Sequence, residues 1–364
     1  MSSLSPRERV CLALDHHETD RIPISMLCSG VNAPARRQLD AWLGQHRGTT
    51  VRDYFRPLVD TRSVGPRYTG PALEAGFDYW GVHRSAVSYG TGDYQEIDHY
   101  PLADARSPAD LDAHRWPSPH WFDFDSFPDR LRAARAERDY CLIASPGNIF
   151  ESSWYMRGFE QFFTDLIVAP ELAHAILGRV CDFYVDYATG LLTAADGAVD
   201  LYFTADDIGG QQGLLMSLPM WEQHLKPYHA RLNERIHELG ARVIYHSDGA
   251  VMEAILGLLD MGIDVLQALQ FDAAGMDPAR MKELYGDRLC FEGGVSVQNT
   301  LPFGTPDDVR AEVEERIRIL GRGGGYILGP SHAIQAGTPP ENIVALFDTA
   351  ATCPMPSRAR EEAR

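Results

Sequence analysis

The chain has 364 residues, 45% of them hydrophobic and 23% charged, a globular composition with ample apolar material for a core. Its 33 Lys and Arg against 51 Asp and Glu leave a net charge of −18, which disfavours nucleic acid and anionic membranes as partners. No run of eighteen apolar residues occurs and the start, MSSLSPRERV, lacks the apolar core of a signal peptide, so a cytoplasmic protein is expected.

The six cysteines are scattered without a Cys-x-x-Cys pair and read as reduced thiols. In chain order, short apolar runs over 22–27, 77–82, 141–146, 201–206, 243–248, 264–270, 289–294 and 326–331 read as eight strands. Several are nearly continuous apolar stretches, as in parallel strands buried on both faces. Helical patterns over 170–194, 217–239, 250–261, 277–285, 306–320 and 340–351 lie between them. The clearest start is at Thr305, an N-cap followed by Pro306 and early acids. This rhythm predicts a (β/α)8 TIM-like barrel as a single domain over 1–352. The segment 83–140, rich in Tyr, Asp, His and Pro, is expected as an irregular insertion with a loop or small hairpin, and 353–364 as a tail.

The stretch VIYHSDGAV (243–251) carries the first candidate site. On a strand His246 and Asp248 point to one side, about 6.6 Å apart, and Gly249 ends the strand at the end where parallel α/β folds keep their chemistry. The competing reading is a rim hydrogen bond for His246 with Asp248 capping helix 250–261. His332, just past the strand over 326–331, belongs to the same rim. Two imidazoles and one carboxylate suit Zn(II), with a facial Fe(II) or Mn(II) site as the alternative. Asp206 and Asp207 end another strand, and being adjacent, at most one faces the pocket. Glu292 sits at a strand tip, and these three carboxylates are the catalytic candidates. Cys28, Glu151, Tyr155, Gln211 and Gln298 are substrate-binding candidates. For Glu151 and Tyr155 the alternative is an ordinary amphipathic helix. The glycines over 321–325 precede a strand instead of following one, so they are not a phosphate loop, and neither a Gly-x-Ser-x-Gly elbow nor a dinucleotide fingerprint occurs.

SPRERVCLALDHHETDRIP, YHSDG, MDPARMKELYGDRLCFEGGVSVQ and GGGYILGPSHAIQAGTPPENI together resemble landmarks of the uroporphyrinogen decarboxylase superfamily across nearly the whole chain. The resemblance implies a distorted (β/α)8 barrel and one of two chemistries. One is metal-free decarboxylation of uroporphyrinogen or a related poly-acid. The other is zinc-dependent methyl transfer between a small methylated compound and a corrinoid protein or thiol. The decarboxylase carries Arg-Gln-Ala-Gly-Arg-Tyr after the first strand, where this chain has SMLCSGVNAPARRQ, and Arg36-Arg37 do not reproduce that spacing. The methyltransferase branch has a His-x-Cys pair and a later Cys on zinc. Here His246 matches the histidine, Asp248 stands at the first cysteine and His332 at the second. The expectation is therefore a metal-dependent methyltransferase with a small-molecule substrate and a corrinoid protein as partner, a homodimer being open. Decarboxylation and a non-catalytic ligand-binding barrel are the alternatives.

Overall fold

The structure, a computed structural model, describes residues 4–27, 30–88, 90 and 93–356. In chain order its strands are β1 (Thr61–Ser63), β2 (Arg67–Tyr68), β3 (His83–Ser88), β4 (Asp93–His99), β5 (Phe122–Asp123), β6 (Cys141–Ala144), β7 (Leu201–Ala205), β8 (Arg242–His246), β9 (Val265–Ala268), β10 (Cys290–Val295) and β11 (Tyr326–Pro330). Seven of them form one parallel sheet in the order β1-β6-β7-β8-β9-β10-β11. Residues 22–25 fill the eighth position. Ile24 bridges Leu328 in parallel, Ser25 N donates to Leu328 O at 2.9 Å, and Asp60 N donates to Ile24 O at 2.8 Å. The result is an α/β TIM-like barrel whose first stave is irregular.

The six predicted strands from 141 onward form where expected, because each is apolar on both faces and lies between helices and the barrel interior. The second stave differs from the prediction. It is the polar Thr61-Arg62-Ser63, paired Thr61 to Cys141, and not the apolar run 77–82. That run packs into the apolar cluster around the outside of the barrel: Trp80 and Val82 are buried, and Trp80 packs on Phe183 and Tyr184 of helix Pro170–Ala195. Hydrophobicity therefore marked burial but not membership of the barrel. The chain between β1 and β6 holds the β3–β4 hairpin, the β2–β5 pair and helix Phe127–Glu137, so the irregular stretch begins directly after Ser63. The helical pattern over 217–239 is split into Leu218–His224 and Lys226–Glu238, with Pro227 at the break.

Inside the barrel, Cys141, Ile143, Leu201, Ile244, Val265, Cys290 and Ile327 form an apolar layer, closed from below by Val10 and Leu14 of helix Pro6–Leu14. That helix starts with a capping box on Ser5 and Glu8. None of the described cysteines, Cys11, Cys141, Cys181, Cys290 and Cys353, is in a disulfide. No helix among the described residues is long and apolar enough to cross a membrane.

Candidate metal centre

Two residues above the apolar layer, the inward positions change character: Ile244 gives way to His246, Val265 to Gln267 and Cys290 to Glu292. The parallel register sets His246 beside Gln267, and Gln267 beside Glu292. His246 Nδ1 is hydrogen-bonded to Gln267 Oε1. This selects the tautomer with the proton on Nδ1 and turns the Nε2 lone pair toward the mouth. Glu292 lies beside Gln267 and near Ser25, and burial pushes its carboxyl up to about 7.

His246, Asp248 and His332 come together at the mouth with one ligand atom from each within 4.8 Å of the others. Among the described residues this is the one such group of three or more metal-ligating side chains. His332 Nε2 lies 3.8 Å from Asp248 Oδ2, and the His246 and His332 rings are 5.9 Å apart. Burial raises the Asp248 carboxyl, and the two imidazoles partly offset this. The residues fit a divalent ion. Two imidazoles and a carboxylate are a catalytic-type donor set, and His246 has the outer hydrogen bond that orients ligating histidines.

The tip of the pair is held by two glycines. At Gly249 φ is +85° and a Cβ would lie 2.5 Å from Gly209 O, so only glycine lets the 206–210 loop lie against the end of β8. Ala250 N donates to Gly210 O across the same contact, and Asp248 N to Asp207 Oδ1. Helical structure after this turn begins only at Met252, and Asp248 does not cap it. At Gly293, φ is +104° and a Cβ would meet Ala268 O at 2.3 Å, so Gly293 seats β10 on β9 next to Glu292.

Asp206 and Asp207 point opposite ways. Asp207 Oδ1 is 3.5 Å from His246 Nε2 and half-exposed at the mouth. Asp206 is buried behind the strand. It accepts from Phe150 N and Glu151 N at 2.7 and 2.8 Å, and pairs with His229. Both oxygens are engaged on that side, so Asp206 anchors the start of helix Ile149–Arg157 and does not reach the pocket. That anchor places Glu151 near the mouth. Burial and the charges of Asp206 and Asp207 push the Glu151 carboxyl up to about 7, and Asn148 Nδ2 donates to it at 2.6 Å. Tyr155, one turn on beside Glu151, lies under the Arg84 guanidinium, 4.9 Å away, which brings the β3–β4 hairpin to the rim. Arg84 is itself paired with Asp78 at 2.6 Å.

Gln211 is exposed and accepts from Gln270 Nε2 at 3.1 Å, bracing the loop over β9. Gln298 is exposed in the turn before helix Thr300–Phe303. Cys28 lies outside the described residues. The residues that sequence reasoning missed are Gln267, Ser25 and Arg84. Gln267 had a signal, an amide at inward parity in an otherwise apolar run; Ser25 and Arg84 had none.

A family model described as uroporphyrinogen decarboxylase matches residues 87–353. A uroporphyrinogen decarboxylase from Anaeromyxobacter dehalogenans is 27% identical over 365 residues, covering 93% of this chain and 97% of that protein. A methylated-thiol–coenzyme M methyltransferase from Methanosarcina mazei is 28% identical over 215 residues, 59% of this chain and 53% of that protein. A uroporphyrinogen decarboxylase from Azoarcus sp. is 27% identical over 186 residues, 50% of this chain and 48% of that protein, so the chain spans about half the length of these last two relatives. Among solved structures, a methyltransferase from Methanosarcina mazei superposes with a TM-score of 0.65 at 19% identity, covering 96% of this chain and 99% of that one, a likeness of fold.

Proposed function

This chain belongs to the uroporphyrinogen decarboxylase family, an enzyme family, and within it we propose that it is a metal-dependent methyltransferase moving a methyl group from a small methylated compound to a corrinoid protein or a thiol. The observation that carries this reading is the convergence of His246, Asp248 and His332. A bound divalent ion supplies Lewis acidity there, and zinc fits the donors best. Two neutral imidazoles and one carboxylate leave that ion with a net +1 charge, whereas one imidazole and two thiolates leave it neutral. The site is thereby suited to holding an anionic oxygen or thiolate.

The chain's own groups divide the remaining work. Gln267 keeps the His246 proton on Nδ1. Glu292 sits beside Gln267 in the wall below. Glu151, with its carboxyl up to about 7, can give a proton to the leaving atom of a demethylated donor at neutral pH. We take Asp207 as the carboxylate facing the pocket and Asp206 as the residue that positions Glu151.

The alternative within the family, decarboxylation of uroporphyrinogen or another poly-acid, is less well supported. The mouth gathers carboxylates from Glu151, Asp207 and Asp248, while the guanidinium that reaches it, Arg84, is already paired with Asp78. Such a mouth repels a poly-acid and favours a neutral or cationic donor.

The test is metal analysis of purified protein, followed by corrinoid-dependent methyl-transfer assays with small methoxylated and methylated donors. One equivalent of divalent metal and transfer that chelation abolishes are expected. Coproporphyrinogen formation at an ordinary enzymatic rate, roughly 0.1–10 per second, would restore the decarboxylase reading. Metal-free protein in which His246→Ala keeps full activity would reduce the cluster to a rim hydrogen-bond network.

A further inference from the structure

At β1, lined by none of the metal-cluster residues above, lies a groove of about 260 Å3 that Met26, Leu27, Thr61 and Ser63 also line. The chain runs from Ser63 through the irregular stretch before reaching helix Phe127–Glu137, and Arg62 lies in the groove between helix Val51–Phe55 and the end of that helix. Four guanidinium groups line it: Arg36, Arg52, Arg56 and Arg62. A single carboxylate, Glu137, faces them, 2.7 Å from Arg62 and 3.8 Å from Arg52. Arg36 and Arg56 make no ion pair with any described residue.

The chain carries 51 acids against 33 bases, and some exposed arginines elsewhere meet a carboxylate, as Arg47 does in Asp348 and Arg231 in Asp182. Here the excess is positive, about three charges, on a surface whose net charge is −18. The floor is apolar. Phe55 and Val59 lie beneath it, and Tyr140 is stacked under the Arg62 guanidinium at 4.9 Å. Guanidinium forks match phosphate and carboxylate oxygens in pairs, and a flat apolar floor takes a ring or short alkyl body. The volume lies just below the roughly 300–1,000 Å3 usual for ligand pockets, which limits the occupant to a small molecule.

We propose that this groove is a binding site for a small dianion carrying a short apolar body, of the aryl or alkyl phosphate class, with Arg36 and Arg56 as its free anchors. The site is separate from the metal cluster and does not depend on the reaction assigned to it.

The experiment is calorimetric titration of the full chain with phenyl phosphate, inorganic phosphate and benzyl alcohol, at low and moderate salt. Phenyl phosphate should bind with a Kd at or below about 1 mM, several-fold tighter than inorganic phosphate, and benzyl alcohol should not bind measurably. Raising salt should weaken the binding, since the anchors are exposed. The Arg36→Gln/Arg56→Gln double variant alters two exposed side chains with no ion-pair partner, so circular dichroism should be unchanged while affinity falls about tenfold or more. His246→Ala should bind phenyl phosphate as the parent does. Three results would overturn the proposal: no binding of phenyl phosphate, unchanged affinity in the double variant, or loss of binding in His246→Ala, which would put the anion on the metal cluster.

Discussion

Two layers of the barrel interior, one strand-repeat apart, are built on the same strands and do opposite things. In the lower layer Ile244, Val265 and Cys290 are packed against one another and against helix Pro6–Leu14. In the upper layer the next inward residues form a polar row, His246 hydrogen-bonded to Gln267 and Glu292 beside it in register, whose open end faces Asp248 and His332. Two residues along a strand is one side-chain repeat, so the barrel passes from core to chemistry in about 7 Å. The lower layer is apolar and closed, and its contribution is burial. The upper layer is polar and holds a carboxyl shifted to about 7, which costs stability and is retained for what it orients.

The comparison breaks most sharply at His246. His246→Ala should lower metal content to a small fraction of an equivalent and methyl transfer by on the order of 10³-fold, beyond the 10–100-fold typical of outer partners. Urea unfolding should move by less than a core truncation. If the variant keeps its metal, the two layers do not divide as described.

Ile244→Ala makes the opposite demand one repeat below. It should cost about 3 kcal/mol in urea unfolding, within the range for large-to-small core changes, while the folded protein keeps one equivalent of metal. Loss of metal at unchanged stability would show that the lower layer serves the site directly.

Glu292→Gln tests the cost carried by the upper layer. Its native carboxyl titrates at about 7 against an ordinary 4.5, so between those values the folded state holds a proton that the unfolded state has lost. Stability contributed by Glu292 therefore falls as pH rises from about 4.5 through 7. The parent should lose up to about 3 kcal/mol relative to the Gln variant between pH 4.5 and pH 8. Parallel pH profiles for the two proteins would remove Glu292 from the account.

The smallest effect is expected at Gln267. Gln267→Ala removes the group that holds His246 Nδ1 and should weaken metal binding 10–100-fold in a chelator competition, with transfer restored when metal is in excess. Activity that stays low under saturating metal would give Gln267 a part beyond positioning His246.

The amino-acid sequence alone determined the barrel class and the positions of six staves, because strands buried on both faces are written as continuous apolar runs and need no partner to be recognised. It also determined that His246, Asp248 and His332 are rim residues, since each lies at or just past the end of such a run. Only the tertiary structure decided the rest. The second stave, Thr61–Ser63, has no apolar signature because three residues held by backbone pairing to Cys141–Ile143 need none. The apolar run over 77–82 is buried instead against helix Pro170–Ala195. Which of Asp206 and Asp207 faces the mouth follows from the pairing of Asp206 with His229 and the 149–157 helix, partners distant in sequence. The row His246–Gln267–Glu292 follows from inter-strand register, and the arginine groove from how helices Val51–Phe55 and Phe127–Glu137 flank β1. Each of these depends on which segments become neighbours, and local periodicity cannot encode that because it reports only whether a residue is buried, not what it is buried against.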